Sequence, residues 1–236
     1  MLYLKTMPKW KKVCQRIIEF SFSALFIIVP LILTPWNYEL FEFNKMLIVY
    51  ILTAIIVGGW GVKMILGRRV IFRRSFWDIP LLIFLISQFL SFFFSIDRHT
   101  SFWGYYSRFN GGLLSIICYL LLYWAFVSNM DKRSGLATLH SSLITATLVA
   151  SYGIAEHFGI DAKYWVQDVK NRVFSTLGQP NWLAAWLVAL TPLTWSFALN
   201  SKFNPPAGGQ NSKLFGIWFL EFGIFYLTLL FTRSRS

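Results

Sequence analysis

Residue types that bind oxyanions gather in one short passage of this chain: Arg172, Val173, Phe174, Ser175, Thr176, Leu177, Gly178, Gln179, Pro180 and Asn181, immediately before an apolar run. A guanidinium stays charged and forks onto phosphate oxygens, and Ser and Thr hydroxyls add donors. Gly178 permits a tight turn and Pro180 fixes the approach, so Asn181 suits a helix N-cap with the positive helix end facing the same anion. A turn followed by a cap explains the Gly, Pro and Asn just as well.

Two further passages share the chemistry. Between 97 and 112, Asp97, Arg98, His99, Phe102, Trp103, Gly104, Tyr105, Tyr106 and Arg108 lead to Asn110, Gly111 and Gly112. Arginines among aromatic rings form a cationic rim able to hold an anion or a sugar face, and an aromatic belt with solvated charges is an equal reading. The chain closes on Thr232, Arg233, Ser234 and Arg235, where arginine at a helix C-terminus is also an ordinary partner of the helix dipole.

Other chemistry is sparse. Glu221, His140 and Gln88 sit inside apolar runs; a carboxylate there costs about 2.5 to 3.5 kcal/mol on insertion scales, so Glu221 faces other helices or carries a proton. Interhelical hydrogen bonding and a proton relay both fit. Cys14 and Cys118 fall near opposite faces of the membrane in the topology below, so no disulfide is expected, and no Cys or His spacing matches a metal site. No Gly-rich phosphate loop and no Ser-His-Asp arrangement is visible.

The elements that must carry these residues are helices. Apolar stretches at about 16–35, 45–66, 78–96, 112–128, 136–159, 183–200 and 214–232 approach the roughly 20 residues needed to cross a bilayer. With 56% hydrophobic and 14% charged residues, little chain remains for anything else. The expected fold is all-α, a polytopic transmembrane bundle of about seven spans forming one domain over 1–236. Lys9, Lys11, Lys12 and Arg16 precede the first stretch, which leaves through Pro35, Trp36, Asn37 and Tyr38 without small residues and so reads as a retained signal anchor. An N-terminus inside puts fourteen of the 22 cations on inside segments and eight outside, which predicts N-in and C-out. The net charge of +12 then reflects topology and anionic lipid, and nucleic acid is not expected as a partner.

In order and placement, three passages resemble the N-terminal portion of bacterial O-antigen ligases and polymerases, polytopic proteins that move glycans from an undecaprenyl pyrophosphate carrier: Phe102, Trp103 and Gly104 through Arg108, Gly111 and Gly112; Arg172 through Pro180 and Asn181 into Leu183, Ala184 and Ala185; and Thr232 to Arg235. The resemblance implies a glycosyltransferase without metal or cofactor in the bacterial inner membrane. Its partners would be the undecaprenyl pyrophosphate-linked glycan, membrane lipid and an acceptor glycan, lipid or protein. It assigns Arg172, Arg235 and Arg108 to the carrier pyrophosphate, with Gly178, Pro180 and Asn181 as the supporting turn and helix cap. The family's proposed acceptor-activating His lies in a later loop that would follow Ser236, so the resemblance further implies a chain truncated after its seventh helix; neither His99 nor His157 takes that place, and no catalytic residue is assigned. A secondary transporter or flippase subunit, suggested by Glu221 and His140, and a non-catalytic membrane scaffold remain alternatives.

Overall fold

In the computed structural model of the chain, residues 9–34, 39–165, 168–199 and 211–234 are described, the side chains of 211–215 excepted. The aromatic exit 35–38 of the first stretch, most of the Pro- and Gly-containing linker after 200, and Arg235 lie outside the described residues. The described chain is all-helical: α1 Lys9–Leu31, α2 Glu42–Gly67, α3 Asp78–Phe93, the short α4 Arg98–Trp103, α5 Leu113–Asn129, α6 Lys132–His157, α7 Pro180–Leu199 and α8 Asn211–Thr232, with a single 3-10 turn at Ser175–Leu177. Each apolar stretch of the sequence thus carries one long helix, the only open structure that satisfies every backbone donor away from water.

By length and composition, α1, α2 and α7 are long and apolar enough to cross a membrane. α3, α5 and Gly216–Thr232 are shorter apolar helices. α6 has the length, at 26 residues, but spends much of it on Ser and Thr. Their hydroxyls turn back onto the preceding helical turn, as in Thr138 to the Ser134 carbonyl (3.0 Å) and Thr145 to Ser141 (2.9 Å), which gives the hydroxyl proton an acceptor within the helix.

The chain forms two compact units, Met1–Val29 with Thr34–Leu139 and Pro30–Leu33 with His140–Ser236. The first is centred on Ile18, Phe22, Ile56, Trp60, Ala125 and Met130, with Phe22 and Phe126 edge to face at 5.3 Å. A closed polar knot ties α1, α2 and α5: Lys63 Nζ donates to Gln15 Oε1 (2.7 Å) and Asn129 Oδ1 (2.9 Å), and Gln15 Nε2 donates to the Asn129 carbonyl (3.0 Å). Lys63, one of the fourteen cations that topology assigns to inside segments, is buried, because acceptors from two other helices replace its water.

The second unit packs α6, α7 and α8 through Leu143, Ala146, Val149, Ala150, Leu183, Leu187 and Phe225, all of them fully enclosed at 0% exposure. His140 lies in a ring stack with Phe197 (4.4 Å) and Trp218 (5.6 Å). The hydroxyl of Thr147 donates to Glu221 Oε1 (2.8 Å), so the acid of α8 makes an interhelical hydrogen bond.

Candidate functional site

The passage 168–181 is held from below by an acid. Glu156, in the last turn of α6, is completely buried, and its Oε2 accepts hydrogen bonds from the backbone N–H of Phe174 and of Ser175, both at 2.8 Å. Its other oxygen has no hydrogen-bond partner among the described residues. Ser175 adopts a left-handed φ of 53° and donates its hydroxyl to the Val149 carbonyl (2.6 Å). Gly178 follows at φ 79°, a conformation that costs glycine little, and Pro180 opens α7, the first helical position where a missing N–H is harmless.

This geometry corrects two expectations. Asn181 lies inside α7 rather than capping it; the Gln179 carbonyl already accepts from the Trp182 and Leu183 amides (3.1 Å each). The Asn181 side chain instead accepts from Arg172 Nη2 (3.2 Å) and from the Ser234 hydroxyl (3.1 Å). Ser175 and Thr176 do not offer their hydroxyls to an anion either. The first is turned inward to Val149, and the second donates to the Pro30 carbonyl (2.7 Å), since a buried hydroxyl needs an acceptor.

Arg172 is exposed and doubly anchored. Beyond Asn181, its Nε donates to the Thr232 carbonyl at the end of α8 (3.4 Å), while the neighbouring Val173 amide donates to the Phe231 carbonyl (3.3 Å). Arg233, turned by a left-handed φ of 46°, donates from Nη1 to Asn171 Oδ1 (3.3 Å). Arg172, Arg233, Asn171 and Asn181 line one open cavity of about 540 Å³. A second, of about 410 Å³, is lined by Arg172 with Asp168, Asn171, Gly178, Gln179, Pro180 and Asn181. The acid at this rim is engaged with its own turn: Asp168 accepts from the Asn171 side chain and the Asn171 amide. Among the described residues both arginines therefore rest on neutral acceptors and make no ion pair, with further N–H donors directed to neither anchor.

Arg108 is built differently. Its Nε pairs with Glu42 Oε2 at 3.3 Å, and its guanidinium lies over the Tyr105 ring at 5.6 Å. The loop around it is closed by the Tyr105 amide on the Asn110 carbonyl (3.0 Å) and by Tyr50 donating to the Phe109 carbonyl (2.5 Å). Glycine is obligatory at its crossing: a Cβ on Gly104 would stand 2.3 Å from the Asn110 oxygen, and one on Gly112 2.3 Å from the Gly104 nitrogen. The turn before it is capped by Asp97, whose side chain accepts from the His99 and Thr100 amides.

Arg172, Gly178, Pro180 and Asn181 thus share one site. Arg108 belongs to the other compact unit. Arg233 and Asn171 join the site without having been singled out for it, and so does Glu156, whose one sequence signal is an acid close to the end of a mostly uncharged helix. Among the described residues, no three His, Cys, Asp or Glu side chains gather to hold a metal. No family model, curated protein or solved structure matches this chain.

Proposed function

We propose that this chain is a multi-pass protein of the bacterial inner membrane, its seven long helices spanning with the N-terminus inside, and that it holds the diphosphate of a polyprenyl-linked glycan at Arg172 and Arg233. The observation that carries this reading is the shared cavity lined by two exposed guanidiniums, each anchored, among the described residues, by neutral oxygens. Paired, fixed guanidiniums suit a diphosphate because each forks onto two oxygens and remains charged. Arg235, which lies outside the described residues, is two positions from Arg233 and is included in the proposed set on sequence grounds.

The resemblance to O-antigen ligases implies a reaction in which such a site would serve. An acceptor hydroxyl oxygen bonds to the anomeric carbon and gives up its proton to solvent as the bond from that carbon to the diphosphate oxygen breaks. The lipid diphosphate leaves with the electron pair, and arginines at the diphosphate favour departure by stabilising the growing negative charge. Purified protein should bind a polyprenyl diphosphate, with Arg172→Ala weakening binding by about tenfold or more and Arg172→Lys restoring only part, since a charge-assisted hydrogen bond contributes roughly 1.5 to 3 kcal/mol. Equal affinity in wild type and Arg172→Ala would overturn the site.

A second reading, secondary transport or flipping, draws on buried Glu221 and its bond to Thr147. It requires uptake into proteoliposomes that Glu221→Gln abolishes.

A further inference from the structure

The first compact unit contains a second built site, remote in sequence from the arginine cleft. The segment joining α2 to α3 reads Arg68, Arg69, Val70, Ile71, Phe72, Arg73, Arg74, Ser75, Phe76 and Trp77. Its four arginines are exposed, and so are Val70 (86%), Phe76 (87%) and Trp77 (59%). Cations and bare rings alternating on one short segment suit the boundary between lipid headgroups and acyl chains. They do not suit open water.

Where this segment meets α3 and α5 it borders an open cavity of about 510 Å³. Phe72, Ile79, Leu82 and Trp124 form its apolar wall, and Arg74 is the one cation lining it. The frame is fixed. Asp78 accepts from the Ser75 amide (2.8 Å) and from Trp124 Nε1 (3.2 Å), the Ser75 hydroxyl meets the Tyr123 hydroxyl at 2.5 Å, and the Arg73 amide donates to the Ser128 hydroxyl (3.2 Å). The Phe72 ring is held between Trp60 and Trp124, 6.4 Å from each. The lining acid, Asp78, has an N–H donor on each oxygen and, among the described residues, makes no ion pair with Arg74, so the guanidinium is available to an incoming anion while the segment's four arginines outnumber the one acid.

We infer that this cavity binds one anionic phospholipid, the phosphodiester on Arg74 and the first part of an acyl chain along Phe72, Ile79, Leu82 and Trp124. Charge complementarity selects an anionic headgroup, and the apolar wall selects a lipid over a free phosphate. The inference does not depend on the function proposed above, because the two sites share no residue.

The test is native mass spectrometry of the purified full chain in detergent, offered phosphatidylglycerol or phosphatidylcholine, with and without excess inorganic phosphate. Wild type should retain one phosphatidylglycerol at activation energies that strip phosphatidylcholine, and inorganic phosphate should not displace it. Arg74→Gln should lower retention about tenfold, as expected for loss of one charge-assisted contact, and Leu82→Trp should lower it by filling the wall. Arg69→Gln, in the same basic segment but outside the cavity, should retain lipid like wild type. Lipid-free melting temperatures of the variants confirm that each remains folded, since Arg74 and Leu82 are exposed. Equal retention of phosphatidylcholine, displacement by inorganic phosphate, unchanged retention in both Arg74→Gln and Leu82→Trp, or an Arg69→Gln loss equal to that of Arg74→Gln would each overturn the inference.

Discussion

Arg108 and Arg172 look alike in the sequence, each an arginine near aromatic residues and a glycine turn, yet the structure gives them opposite electrostatic settings. Arg108 is paired with the Glu42 carboxylate at 3.3 Å, so its charge is largely cancelled where it stands. Arg172 is fixed by the Thr232 carbonyl and the Asn181 amide oxygen, which orient the side chain and leave its charge intact. What separates the two arginines is the partner's charge, not the arginine's neighbours in sequence.

The strongest way to break this contrast is to remove the support beneath the Arg172 passage. Glu156→Ala leaves the buried Phe174 and Ser175 amides without their acceptor and should destabilise by about 3 kcal/mol, while Glu156→Gln, which keeps an acceptor oxygen, should lose less. Chemical denaturation of the purified protein in detergent reads this directly. The matching insult to the Arg108 loop is Gly112→Ala or Gly104→Ala, where the new Cβ meets backbone; a cost of about 2 kcal/mol is expected from forced backbone movement.

Smaller changes sharpen the comparison. Arg108→Gln removes a partly exposed ion pair and should cost about 1 kcal/mol or less, without weakening diphosphate binding. Glu42→Gln is more telling, because it frees the Arg108 charge in place: a new, weak, salt-sensitive binding of pyrophosphate, read by calorimetry at low and high salt, is expected. The smallest effect concerns Asp97. The Thr100 hydroxyl, then the Thr100 and His99 amides, hold its carboxyl below the ordinary 3.8. A depressed carboxylate stabilises the fold above its unfolded value and loses that contribution as pH falls through the folded one. A slight loss of stability on acidification below about pH 4 should therefore be absent in Asp97→Asn.

Much of the scaffold is legible in the sequence because apolar runs broken by Gly, Pro and charge leave no alternative to helices. The start of α7 at Pro180 and the left-handed turn at Gly178 belong to that local grammar. Asn181 does not. Its side chain is claimed by Arg172 and by Ser234, 53 residues away in sequence, and no spacing rule reveals such a meeting. Glu156 is hidden for a related reason: its partners are backbone amides 18 and 19 residues onward, which leave no mark on side-chain pattern. Lys63 misleads by composition, since a lysine at a helix end reads as topology until acceptors from two other helices enclose it.

The proposed site requires that Arg172, and not Arg108, grip a diphosphate. Phosphorus NMR of a short polyprenyl diphosphate titrated with purified protein in detergent measures this directly. Wild type and Arg108→Gln should shift and broaden both phosphorus signals alike, whereas Arg172→Gln should leave them close to their free positions at the same concentrations. Signals that move equally with Arg172→Gln, or that return to free values with Arg108→Gln alone, would contradict it.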